Sequence, residues 1–196
     1  MDTLVLARHG ESVASAAGRS NGDPAEDLGL TITGRQQARL LGGMLIGAPI
    51  ALAVSSAFPR TRQTAAIALE GRALPHLVLP QLDDIRYGKF EGGKKEKAHA
   101  WLSEHPLDRA LPGGGESRVQ VAHRACTGFE TILDRPEPMA LVVTHELIVS
   151  DLLFAVAGQD PLPAHLDIPY ATPYRFSAEA LRDAIVHLQR WIASFE

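Results

Sequence analysis

Two histidines and two arginines stand close behind short apolar runs in this chain. Arg8 and His9 follow TLVLA, Arg60 comes shortly after ALAVS, and His145 follows ALVVT. These residue types suit phosphate chemistry. A neutral imidazole can attack phosphorus and carry the group as phosphohistidine. Arginine is permanently charged and grips phosphate oxygens through a planar fork, so two of them make a clamp. Their charges disfavour imidazolium, which keeps an attacking ring unprotonated near neutral pH. A second imidazole can donate to the charge that develops on the equatorial oxygens. Gly10, without a side chain, lets the chain turn tightly beside a ligand.

The elements that must position these groups are legible. Thr3–Ala7, Ala51–Ser55 and Ala140–Thr144 lack polar alternation, which predicts strands covered on both faces of a parallel sheet. His76–Leu79 and Tyr174–Ser177 are candidates for further strands. Helical patterns lie between them. Thr33 with Gln36 has capping-box spacing ahead of Ala38, Leu41 and Leu45, and Ser117 with Gln120 repeats it ahead of Val119, Ala122, Ala125 and Phe129. Pro59 to Leu69 reads as a helix closed by Gly71, and a last helix follows Ser177. Alternating strands and helices predict a three-layer α/β/α sandwich with a mostly parallel central sheet. In such sheets functional groups gather beyond the carboxyl ends of the strands. Arg8, His9, Arg60 and His145 therefore converge on one edge. The chain is read as one domain, 1–196, in which about 88–115 forms a small helical flap over the sheet's edge.

The bulk composition narrows the partners. The chain has 196 residues, 45% hydrophobic and 21% charged, with a net charge of −4. That balance gives no footprint for nucleic acid or an anionic membrane. Cys126 is the single cysteine, so no disulfide can form within the chain, and a cytoplasmic location is expected. The expected partner is a small-molecule phosphomonoester; oligomeric state is not encoded in any recognisable pattern.

RHGES, SSAFPRTRQTA, LDDIRYGKFEG, PGGGES and VVTHE occur in an order that resembles the histidine phosphatase superfamily, also called phosphoglycerate-mutase-like. The resemblance runs from about Leu4 to His145, with a looser echo in IPYATPYRFS. It implies that His9 becomes phosphorylated, that Arg8, Arg60 and His145 form the phosphate pocket, and that the general acid falls on Asp84, with the adjacent Asp83 as alternative. It implies a metal-independent, cofactor-free phosphomonoester hydrolase, with phosphoglycerate mutase as the alternative. A phosphate-binding or signalling module that has lost catalysis is the reading from another class. Phosphatase is favoured because the chain is short and RHGES lacks the tryptophan-asparagine pair that follows in mutases. Three positions depart from the family's usual pattern. Aspartate replaces glutamate at Asp84, Ser15 or Asn21 takes the place of a polar residue often found as asparagine, and Glu146 stands where glycine is common. Glu116 and Ser117 are expected to support the site.

The remaining tempting features have plain readings. HELIVSD lacks the second histidine of a zinc HExxH, since Val149 stands there, so no metal site is expected. His76, His99, His105, His123, His165 and His187 lack ligand spacing and read as surface or structural residues. Lys94, Lys95 and Lys97 form a solvated charged face that could steer an anion, and Tyr87, Phe90 and Trp101 stand where substrate selection is expected. Cys126 reads as a small packing residue.

Overall fold

The computed structural model describes residues 1–162 and 166–196. In chain order the elements are β1 (Thr3–Arg8), α1 (Val13–Ala16), α2 (Ile32–Met44), β2 (Leu52–Ser55), α3 (Pro59–Ala68), β3 (His76–Val78), α4 (Lys95–Glu104), α5 (Arg118–Leu133), β4 (Met139–Thr144), α6 (Glu146–Val156), β5 (Pro173–Ser177) and α7 (Ala178–Ala193). Single 3₁₀ turns occur at Pro24–Glu26, Pro80–Leu82 and Gly88–Phe90. The strands form one sheet in the order β3-β2-β4-β1-β5, in which only β5 runs antiparallel to its neighbour. Every strand end lies within a residue of the sequence expectation.

Side-chain alternation explains why the strands read as unbroken apolar runs. Leu4 and Leu6 of β1 pack with Leu52, Val54, Ala140 and Val142 beneath α5, α6 and α7. Val5 and Ala7 point the other way, with Ala53, Leu141 and Val143, beneath α2 and α3. Helices thus cover both faces, in the expected three layers. Burying one such leucine stabilises the fold by about 1.5–3 kcal/mol, so β1 is anchored on both sides.

The helix ends match the sequence reading in one case and correct it in another. Ser117 and Gln120 cap each other at the start of α5, each side chain accepting from the other's backbone N–H. The expected Thr33–Gln36 box does not form. Thr31 is the cap of α2, accepting from Gly34 N at 3.0 Å, so Thr33 already lies in the first turn. Thr31 is the better cap because its hydroxyl also donates to Glu11 Oε1 at 2.6 Å, tying the helix to the loop after β1. Gly10 and Gly34 allow this approach: a Cβ on Gly10 would stand 2.5 Å from Gly34 O, and one on Gly34 would stand 2.1 Å from Glu11 O. The need at Gly10 is close backbone approach, rather than the tight turn expected.

Candidate active site

The carboxyl ends of β1, β2 and β4 deliver the chemistry to one cavity of about 320 Å³, lined by Arg8, His9, Asn21, Arg60, Asp84 and Glu146, among others. His9 and His145 are both buried, their ring centroids 5.3 Å apart. Arg60 stands near the start of α3 and is the hub. It donates from Nε to His9 Nε2 at 3.2 Å, from Nη1 to Asn21 Oδ1 at 2.5 Å, and from Nη2 to Asp84 Oδ2 at 3.0 Å. Asp27 holds it from behind: its carboxylate accepts the Arg60 backbone N–H at 2.9 Å and lies 3.5 Å from Nη1.

The partners of His9 assign its tautomer. The Gly10 carbonyl, 2.6 Å away, can only accept, so Nδ1 carries the proton. Arginine can only donate, so Nε2 carries no proton and its one lone pair accepts from Arg60 Nε. Burial, and then the Arg60 charge, hold this imidazole well below its ordinary pKa. His9 is therefore a neutral imidazole at neutral pH.

His145 caps the start of α6 and is also held well below its ordinary pKa, first by burial and then by Arg60. Its Nε2 lies 2.9 Å from Ser56 Oγ, and its Nδ1 lies 3.3 Å from Arg60 Nη2 and 3.5 Å from Asp84 Oδ2. In the neutral ring, Nδ1 accepts from Arg60 and Nε2–H donates to Ser56, whose hydroxyl passes the bond on to Thr61 at 2.7 Å. To donate from Nδ1 the ring needs a second proton, a state that an incoming dianion would favour.

Asp84 and Asp83 are separated by the structure. Asp84 lines the cavity, its Oδ2 on Arg60 and its Oδ1 accepting from Ile85 N at 3.0 Å. Asp83 turns away, accepting from Ala57 N at 2.7 Å, and burial raises its pKa. Arg124 of α5 fixes the loop that carries both, donating to the carbonyls of Gln81, Asp83 and Asp84. It also donates to both oxygens of the buried Glu116. Burial alone would raise Glu116, but the Arg124 hydrogen bond and charge, joined by the Arg86 N–H and charge, outweigh it and its pKa is lowered.

The chain's sequence matches the profile of the histidine phosphatase superfamily (branch 1) over residues 4–189. The chain belongs to this superfamily. It is 30% identical to the adenosylcobalamin/alpha-ribazole phosphatase of Salmonella typhimurium, across 90% of this chain and 85% of that protein. It is 29% identical to 2,3-bisphosphoglycerate-dependent phosphoglycerate mutase 2 of Gloeobacter violaceus, across 92% and 87%. Among solved structures it is similar to YhfR of Bacillus stearothermophilus, with 30% identity, a TM-score of 0.75, and 88% and 89% coverage.

Most expected site residues of this histidine phosphatase line the cavity, but His145 is wholly buried outside its lining and reaches it only through Arg60 and Asp84. Asn21 reaches Arg60, whereas Ser15 lines the cavity with its hydroxyl already engaged by Ser12 in the cap of α1. His99, read as structural or surface, lines the cavity, because α4 brings its inner face over the site. Lys95 does the same and pairs with Glu146 at 3.0 Å, while Lys94 and Lys97 stay exposed. Tyr87 lines the cavity. Phe90 instead packs against the core, as does Trp101, which stacks on His105 at 4.0 Å. His76 bonds Ser55, His187 pairs with Asp160, and His165 lies outside the described residues. Cys126 is buried in the core, where burial pushes its thiol up to about 12. Among the described residues, no cluster of three His, Cys, Asp or Glu side chains is arranged to hold a metal ion, and no helix is long and apolar enough to cross a membrane. Asp27, Arg124 and Tyr170 escaped the sequence reading, although Tyr170 sits inside IPYATPYRFS.

Proposed function

We propose that this chain hydrolyses phosphomonoesters through a phosphohistidine on His9. The observation that carries this reading is the buried neutral His9 in the cavity wall, its unprotonated Nε2 held 3.2 Å from Arg60 Nε, a bond that attack on phosphorus displaces. Arg8 and Arg60 hold the phosphoryl oxygens. The Nε2–P bond forms as the bond from phosphorus to the alcohol oxygen breaks, and Asp84 gives that oxygen its proton. Water then attacks phosphorus, Asp84 takes the water's proton, and inorganic phosphate leaves with His9 restored. Asn21 orients Arg60, and His145 stabilises the equatorial oxygens. Residues 1–196 act as one unit in this reading, with 88–115 as a flap whose α4 contributes Lys95 and His99 to the cavity wall.

The test uses p-nitrophenyl phosphate. Wild-type protein is expected to release inorganic phosphate and to carry acid-labile phosphate on His9, and His9→Ala to do neither. Phosphate binding without labelling or turnover would sink the enzyme reading. Asp84→Asn should slow alkyl phosphates far more than p-nitrophenyl phosphate, whose leaving group needs little protonation. Because two guanidinium groups supply the positive charge, turnover should survive a chelator; activity lost to EDTA and restored by a divalent cation would count against that part. The likeness to a phosphoglycerate mutase favours one second reading, which shares the phosphohistidine. Bisphosphate-primed transfer to 3-phosphoglycerate, in place of phosphate release, would identify it.

A further inference from the structure

Glu146 puts a carboxylate in a cavity otherwise arranged for an anion. It is the first residue of α6, its side chain is 14% exposed, and it lines the cavity wall. Oε1 accepts from Arg8 Nη1 at 2.8 Å, and Oε2 accepts from Lys95 Nζ at 3.0 Å. Arg8 is held in this pose by two further contacts. The same Nη1 donates to the Ile168 carbonyl at 2.6 Å, and the Tyr170 ring centre lies 4.0 Å from the guanidinium carbon.

This pose leaves one edge of Arg8 for a phosphoryl group. In a planar guanidinium, Nε–H and one Nη2–H share the edge that excludes Nη1. Nε of Arg8 is buried and has no hydrogen-bond partner among the described residues. An anion can take that edge while Glu146 keeps Nη1, so the carboxylate stays in the wall beside a bound phosphoryl group. Three further cations line the cavity, and none offers an unscreened charge to an anionic alcohol portion. Lys95 is paired with Glu146 and Arg118 with Asp151, and Arg19 is exposed, so water screens its charge. The apolar part of this wall, Ala14, Ala100, Leu102 and Leu147, offers a second negative charge nothing in return, and the Ser103 hydroxyl there donates to the Ala100 carbonyl.

We propose that Glu146 determines specificity: the site takes phosphomonoesters whose alcohol portion is neutral or cationic, and rejects those carrying a carboxylate or a second phosphate there. The proposal rests on the phosphatase reading above. A fixed like charge at this range, partly shielded from water, alters kcat/KM by about ten- to a hundredfold.

The experiment compares kcat/KM for phosphoethanolamine, glycerol 3-phosphate and 3-phosphoglycerate, with p-nitrophenyl phosphate as the activity reference. Wild type is expected to favour both phosphoethanolamine and glycerol 3-phosphate over 3-phosphoglycerate by at least about tenfold. Glu146→Gln, verified as folded by circular dichroism, is expected to shrink that preference by about tenfold. A wild type that prefers 3-phosphoglycerate overturns the proposal whether or not the variant folds, and so does a folded Glu146→Gln with an unchanged preference. Turnover of p-nitrophenyl phosphate tells the two failures apart. Without any, the phosphatase reading and the proposal fall together; with it, an unchanged or inverted preference removes the proposal alone.

Discussion

Arg124 is the residue through which the placement of Asp84 can be tested without touching Asp84. It donates five hydrogen bonds: to the carbonyls of Gln81, Asp83 and Asp84, and one to each oxygen of Glu116. Arg124→Met keeps most of the stem and removes all five. Water can replace some of them, since the side chain is 19% exposed, but Glu116 at 4% is left a buried carboxylate with its chief partner gone. Net worths of about 1 kcal/mol for a neutral hydrogen bond and about 1.5–3 for a charged one put the loss of stability at about 2–4 kcal/mol. For a chain of this size that lowers Tm by about 4–16 °C. The kinetic effect is separate. A general acid contributes about 10²–10⁴ in rate, and a loosened loop should forfeit about ten- to a hundredfold of it. Because only poor leaving groups need the proton, kcat for glycerol 3-phosphate should fall by that factor while kcat for p-nitrophenyl phosphate falls only a few-fold. The ratio of the two, at a temperature where the variant is folded, is the readout. Equal losses on both substrates would refute the idea that Arg124 acts through Asp84. Glu116 supplies a second check. Its lowered pKa means that its contribution is present above the unfolded value and is lost as pH falls toward the folded one. Arg124→Met should shrink that acid-side loss, with only the Arg86 N–H and charge left on Glu116.

Four further outcomes follow from the same geometry. His9 is held below its ordinary value of 6.5, so the free enzyme keeps its neutral nucleophile into mild acid. The acid limb of kcat/KM assigned to His9 should break below that pH, and a break at or above it would contradict the assignment. His9 and His145 also make the native state bind fewer protons than the unfolded chain just below pH 6.5. Stability should therefore fall as the solution is acidified from neutrality, at up to about 1.4 kcal/mol per pH unit for each ring, as read from urea midpoints. Asp27→Ala strips a wholly buried carboxylate from Arg60 and from the N–H of Gly29, and should cost about 3–5 kcal/mol in urea unfolding; a loss under about 1 would show that Arg60 does not need it. Gly34→Ala drives a Cβ into Glu11 O at 2.1 Å, which should lower Tm by several degrees and turnover with it, through the loop that carries His9.

What the sequence disclosed is what depends on local pattern. The central strands announce themselves because both faces are covered, so their runs lack polar alternation, and α1, α2, α5 and α7 start where a hydroxyl precedes a free N–H. His9, Arg60 and His145 are legible because each follows such a strand, and the topology then guarantees their meeting. The residues that hold them are not. Asp27 lies in an irregular loop, and its role arises only where that loop passes behind Arg60. Arg124 sits on a helix whose apolar stripe is plain, yet nothing local says that its head reaches three carbonyls some forty residues earlier. Thr31 displaced Thr33 as a cap for a similar reason, since the deciding contact is with Glu11 on a distant loop.

Glu146 shows where the two kinds of information meet. Its type and position are plain in VVTHEL, and beside a phosphate pocket an acidic residue reads as a conflict. Distance resolves the conflict: the carboxylate takes one nitrogen of Arg8 and the ammonium of Lys95, and Arg8 retains its other edge for the anion. A charge that would oppose the reaction if it pointed at the phosphoryl group can instead sort the alcohols attached to it. Lys95 is then the natural second probe. Lys95→Met should take one cationic partner from Glu146 and deepen the bias against 3-phosphoglycerate relative to wild type. If the bias weakens instead, Lys95 was screening nothing and the wall is not organised around Glu146.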